Sequence, residues 1–178
     1  MPFFTIGHSS RSLEAFVELL KAADVRCIID VRKMPMSRAN PQFNSDILCQ
    51  ALAGLQISYE HNAALGGLRA KAPGLPDGLN GMWENRSFHN YADYALSQQF
   101  RDGLDRLIAQ GHERRCAIMC SEAVWWRCHR RLIADNLIAR GESVFHIMAA
   151  GRIEPARLTA GAVIRPDMSV IYPATGEA

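Results

Sequence analysis

Five short apolar runs alternating with stretches of helical period constrain this chain more than any other feature. Phe3-Phe4-Thr5-Ile6-Gly7, Cys27-Ile28-Ile29-Asp30-Val31, Ile57-Ser58-Tyr59-Glu60, Cys116-Ala117-Ile118-Met119-Cys120 and Val144-Phe145-His146-Ile147 read as strands. Nearly continuous apolar character suits parallel strands covered on both faces. Between them, Leu13, Phe16, Val17 and Leu20 recur at i, i+3, i+4 and i+7 behind Ser12, a good N-cap. Leu48, Ala51 and Leu52 line a second helix capped by Ser45 and ending near Gly54. A third helix is expected from Tyr91 to Ala109, and a fourth from Trp126 to Arg140, stopped by Gly141. The order β-α-β-α-β-α-β-α-β predicts an α/β fold: an open, mainly parallel five-stranded sheet with helices on both faces. Residues 1–148 form that domain in this reading. Residues 149–178 leave the rhythm and read as an extension packed on it, with Val163-Ile164 and Val170-Ile171 as a small hairpin.

A chain of 178 residues, 48% hydrophobic and 21% charged, has the size and makeup of one globular domain rather than a disordered or disulfide-stapled chain. A net charge of +2 gives no bulk case for nucleic acid or an anionic membrane. The 20 basic residues are nevertheless skewed, because only Lys21, Lys33 and Lys71 are lysines. Arginine is the side chain that grips phosphate and carboxylate bidentately. No apolar run approaches the ~20 residues that span a bilayer, and the Met1-Pro2-Phe3-Phe4-Thr5 start lacks an export signal. Five cysteines, an odd number, fit reduced thiols. The expectation is a cytoplasmic protein with no membrane contact.

In open α/β sheets, ligands bind beyond the carboxyl ends of the strands. Each run delivers polar groups there: His8 and Arg11 after the first, Asp30 and Arg32 at the second, Glu60-His61 at the third, Cys120-Ser121-Glu122 at the fourth, and His146 in the fifth. Cys120 is the sharpest candidate, placed where a strand turns into a helix whose N-terminus would favour a thiolate. A cysteine, a loop and then an arginine is the arrangement by which cysteine phosphatases and rhodanese-type sulfurtransferases cradle an oxyanion. Here six residues separate Cys120 from Arg127 and none is glycine, so the match is imperfect. His8 or Glu122 would move protons, and Asp30 must be paired, with Arg32 or Arg11 as partner. Arg11, Arg32, Arg69, Arg127 and Arg130 form the candidate anion clamp. Cys128 and His129, on the first turn of the fourth helix, are a structural pair or, with Cys120 and His8, a zinc site. Between His61 and Ser87 periodicity vanishes, as in functional loops.

Thr5-Ile6-Gly7-His8-Ser9, Asp30-Val31-Arg32, Leu65-Gly66-Gly67, Cys120-Ser121-Glu122 and Trp126-Arg127-Cys128-His129-Arg130 together resemble the uncharacterised bacterial family known as domain of unknown function 488. The likeness covers roughly residues 3–147. It implies the α/β fold and the importance of these positions, and names no reaction.

Two functions are therefore expected. The first is a thiol-based transferase or hydrolase acting on an anionic small molecule, a nucleotide, a nucleic-acid end or a sulfur species. The second is a nucleic-acid-binding module linked to DNA repair or modification, using the arginines from Arg127 to Arg140 and the aromatics from Trp83 to Tyr91.

Overall fold

Each of the five apolar runs is a strand in the computed structural model, which describes residues 1–174. Strands β1 (Phe3–Gly7), β2 (Cys27–Asp30), β3 (Ser58–His61), β4 (Cys116–Cys120) and β5 (Val144–Ala149) lie parallel. A sixth strand, β6 (Arg152–Pro155), turns back at Gly151 and pairs antiparallel with β5. The expected five-stranded sheet is thus six-stranded, in the order β3-β2-β4-β1-β5-β6. Arg152-Ile153-Glu154-Pro155 escapes a search for apolar runs because an edge strand is exposed: Arg152 and Ile153 face solvent. The expected hairpin forms, with β7 (Val163–Ile164) antiparallel to β8 (Val170–Ile171).

Period-two alternation sends each central strand's side chains to two cores. Ile28, Ala117, Met119 and Ile6 pack with Phe16, Leu20, Leu48 and Leu52 of helices α1 (Leu13–Ala22) and α2 (Ser45–Ala53). Ile29, Val31, Ile118 and Phe3 face the opposite way, toward Tyr91, Phe100, Leu104, Leu132 and Leu137. Those residues come from α3 (Arg86–Tyr94), α4 (Gln98–Glu113) and α5 (Arg130–Ala139). The single helix expected from Tyr91 to Ala109 is therefore two. Ser97 adopts an extended backbone and its hydroxyl accepts the Phe100 N–H at 3.2 Å, restarting the helix.

Chain direction reverses inside the sheet. From β1 and β2 the chain leads toward the β3 edge, while from β4 it leads toward β5, with the intervening helices on opposite faces. This opens a crevice at the carboxyl ends of β1, β2 and β4.

The C-terminal segment is fastened to this core. Tyr172 is fully buried, its hydroxyl donates to Asp135 Oδ2 at 2.8 Å, and its backbone N–H donates to Asn80 Oδ1. Burial raises the Asp135 carboxyl above its ordinary range, so each donor it retains matters. Tyr172→Phe keeps the ring and removes one such donor. It is expected to lower the unfolding free energy by about 1–3 kcal/mol, read from urea denaturation.

Candidate functional site

A cavity of about 550 Å³ fills the crevice. Its floor is built from His8 after β1, Arg32 after β2, and Cys120 with Cys128 and His129 after β4. Of the expected contributors, Arg11, Asp30, Glu60, His61, Arg69, Arg130 and His146 are absent from its walls. His61 turns its Nε2 to the Arg32 carbonyl at 2.8 Å, and the His146 Nδ1 lies 2.7 Å from Thr5 Oγ1. Three strand ends rather than five make the site.

Residues 121–129 form the loop that shapes it. The expected helix from Trp126 starts only at Arg130, because residues Trp125–Arg127 make one 3-10 turn and Cys128 is extended. Trp125 stacks flat on His146 with ring centroids 4.4 Å apart, pinning the loop to β5. The amides of His8 and Ser9 donate to the carbonyls of Cys120 and Ser121, both at 2.9 Å, extending the β1–β4 ladder into the loop. Gly7 makes this approach possible: a Cβ there would strike the Glu122 carbonyl and come within 2.9 Å of Arg130 Nη2.

Arg130 is only 1% exposed, and among the described residues no carboxylate pairs with it. Its Nη2 donates to the Glu122 carbonyl, and its Nε donates to Cys128 Sγ at 3.3 Å. A buried guanidinium favours negative charge on its neighbours, and the Cys128 sulfur is the ionisable group it touches among the described residues. The thiol–thiolate balance follows. The Cys128 thiol is held down to about 6 by the hydrogen bond from Cys120, by the Arg130 charge and by the Arg130 backbone and side-chain N–H groups, all against its burial. Cys120 shifts the other way, pushed up to about 12 by sharing its proton with Cys128 and by burial. These shifts, with Arg130 Nε against the Cys128 sulfur, favour the thiolate on Cys128, beside the Cys120 named from the sequence. Helix α5 begins at Arg130, so the helix N-terminus faces Cys128 and not Cys120.

His129 lies beside both sulfurs. Its Nε2 donates to the Val31 carbonyl at 2.9 Å, which leaves Nδ1 3.7 Å from Cys128 Sγ to take or give a proton. His8 is less suited to that task. It stacks on Phe43, its Nδ1 donates to the Ser9 carbonyl, and its Nε2 faces Arg32 Nη1 at 3.3 Å. Burial, with the charges of Arg32 and Arg130, lowers its affinity for a proton below the ordinary range.

Asp30 and Arg32 are paired with each other. Asp30 is fully buried, takes a bidentate grip from Arg32 with Nη2 at 2.6 Å, and accepts the Tyr59 hydroxyl at 2.6 Å. Arg32 also donates to the Phe43 carbonyl at 2.8 Å, leaving it little capacity for a ligand. Arg11 spends its guanidinium on the carbonyls of Gly7 and Met148, and Arg69 on those of Gly66 and Ala63. Of the expected anion clamp, Arg127 alone is exposed, lines the cavity and has no ion-pair or hydrogen-bond partner for its side chain among the described residues. Lys33, missed in the sequence, joins it at the rim, its Nζ 3.2 Å from the Leu68 carbonyl. Glu122 is exposed beside them. Met34, Met36 and Leu68, all about two-thirds exposed or more, give the mouth an apolar lip.

Cys120, Cys128 and His129 bring three donor atoms within 4.8 Å of one another, the nearest approach to a metal-ligand set among the described residues. Arg130 occupies a lone pair of the Cys128 sulfur and puts a cation beside the space a metal would take. His8, expected as a fourth ligand, is already engaged by Arg32. The set fits a dithiol with a proton carrier better than a zinc centre. The features expected of a nucleic-acid face divide: Arg127 is exposed, whereas others are engaged within the protein. Arg131 donates to Thr159 Oγ1, Arg140 pairs with Asp105, and Trp83 stacks on Phe88 and meets Tyr172 edge-on.

Fold and site define an open-sheet α/β protein with a buried arginine against one cysteine sulfur and a second cysteine nearby, at the crevice of its strand ends. No helix among the described residues is long and apolar enough to cross a membrane. The chain belongs to the family described as Domain of unknown function DUF488, whose model matches residues 12–137. No curated protein and no solved structure matches it.

Two outcomes follow from this geometry. Alkylation of Cys128 by iodoacetamide, followed by peptide mass spectrometry, is expected to rise with pH through a midpoint near about 6, since the thiolate is lost as pH falls through that value. Asp30→Asn leaves the Arg32 charge buried without its counter-ion, and is expected to cost about 3–5 kcal/mol in urea unfolding.

Proposed function

We propose that the cavity is the active site of a thiol-dependent transferase or hydrolase acting on a small anionic substrate, with Cys128 as nucleophile. The observation that carries this reading is the buried Arg130 guanidinium, which among the described residues has no carboxylate partner and donates to the Cys128 sulfur. A thiolate is the nucleophilic form of cysteine, and this contact favours it. Arg127 and Lys33 supply positive charge at the mouth to hold the substrate's anionic group. Attack by Cys128 Sγ on the electrophilic phosphorus, sulfur or carbon expels a leaving group that takes its proton from His129 Nδ1 or, on the solvent side, from Glu122. The apolar lip of Met34, Met36 and Leu68 favours a substrate that joins an apolar or aromatic body to its charge.

Two alkylating agents of nearly equal shape test the anion preference without a known substrate. Iodoacetate carries the charge and iodoacetamide does not. Arg127→Ala is expected to slow iodoacetate at Cys128 about fivefold, the size of a ~1 kcal/mol attraction between exposed charges, while leaving iodoacetamide unchanged. Equal rate ratios in wild type and variant would overturn the reading. Thiosulfate with cyanide as acceptor, and a nitrophenyl phosphate, then separate sulfur transfer from phosphate hydrolysis, and Cys128→Ser is expected to abolish whichever activity is found. Binding of DNA that weakens steeply with salt, without either activity, would favour the nucleic-acid reading instead.

A further inference from the structure

The site holds a buried thiol that nucleophilic attack by Cys128 does not use. Cys120 ends β4 directly beneath the loop that carries Cys128, and the sulfurs of both residues lie within 4.8 Å of each other and of a His129 ring nitrogen. Both residues line the same cavity. The loop between them is held at Trp125 and at residues 121–122, whereas Cys128 itself is in extended backbone between a 3-10 turn and α5.

We propose that Cys120 is the resolving thiol of Cys128, and that the pair reduces a hydroperoxide by closing an intramolecular disulfide. This rests on the reading of Cys128 as the thiolate of the site. The Cys128 thiolate attacks the terminal oxygen of ROOH, forming an S–O bond and breaking the O–O bond. The alkoxide departs as ROH with a proton from His129 or water, and Cys128 is left as a sulfenic acid. Cys120 then passes its proton to His129 Nδ1 while its sulfur attacks the Cys128 sulfur. An S–S bond forms, the S–O bond breaks, and the hydroxide takes the proton from His129 to leave as water. Two electrons have moved from the two sulfurs to the peroxide. Two equivalents of a small thiol restore the dithiol and leave as their own disulfide.

The surroundings suit this sequence. Arg130 Nε at 3.3 Å from Cys128 Sγ stabilises the attacking thiolate. Cys120, holding its proton, is not the group first oxidised, and its proton has an acceptor at hand. The apolar lip of Met34, Met36 and Leu68 admits an organic hydroperoxide such as cumene hydroperoxide.

The full-length protein, reduced and then treated with one equivalent of cumene hydroperoxide, is expected to lose two of its five thiols and to yield a Cys120–Cys128 linked peptide in non-reducing mass spectrometry. Dithiothreitol is expected to restore both thiols. Cys120→Ser, and independently Cys120→Ala, are expected to accumulate a Cys128 sulfenic acid trapped by dimedone, and Cys128→Ser to consume no peroxide. A linkage mapped instead to Cys27 and Cys116, which are paired across β2 and β4, would overturn the proposal, as would oxidation of Cys128 with Cys120 left free. Either result with the iodoacetamide midpoint of Cys128 still near about 6 refutes the resolving role alone. A Cys128 that alkylates only in alkali refutes the thiolate reading beneath it.

Discussion

One buried cation organises this site. Arg130 has no carboxylate to neutralise it, and it sits against β1, where Gly7 leaves it room, and under the loop whose Glu122 carbonyl it holds. A guanidinium in that position stabilises negative charge on whatever lies next to it and disfavours positive charge on everything else. The neighbouring sulfur is the group it favours as an anion. Burial foremost, with the charges of Arg32 and Arg130, lowers His8, and burial followed by the Arg130 charge lowers His146 to about 4. The same residue thus bears on the chemistry of the floor and on the shape of the loop above it.

A second ion pair keeps that floor rigid without taking part. Asp30, Arg32 and Tyr59 form a closed network at the end of β2, and Arg32 reaches on to the Phe43 carbonyl and the His8 ring. Because every group in it is paired, the network leaves no charge to offer a ligand. The work of meeting an anion passes to Arg127 and Lys33, which are exposed and lightly engaged. Rigid buried pairs below and adaptable cations above are a sensible division, since the first fix geometry and the second exchange water for substrate at low cost.

The strands, the two faces of helices and the C-terminal hairpin were legible because burial leaves a periodic mark on sequence. Ser12 and the α1 face are an example: its hydroxyl accepts the Ala15 N–H at 3.1 Å, as the cap pattern suggested. The break at Ser97, the delayed start of α5 and the strand at Arg152 were not legible, since each depends on one local hydrogen bond or on an edge exposed to water. Within the site, the crevice and its polar residues were foreseen, while the roles were partly exchanged. Cys128 rather than Cys120 lies against the buried Arg130, and Arg11, Arg32 and Arg69 are engaged within the protein. The run Cys128-His129-Arg130 did carry a signal, a cysteine flanked by two basic side chains, but three adjacent residues do not announce which of them face one another.

The sequence alone determined the alternation of strand and helix, and so the edge at which polar residues gather, because hydrophobic period and chain connectivity are properties of the linear chain. Only the tertiary structure decided which sulfur lies against the buried guanidinium and which arginines are free. Those outcomes depend on distances between residues remote in sequence, such as Gly7 to Glu122 and Val31 to His129, and on burial that makes each charge choose a partner. Electrostatics in a low-dielectric interior is a property of the packed arrangement, and it appears only when the packing does.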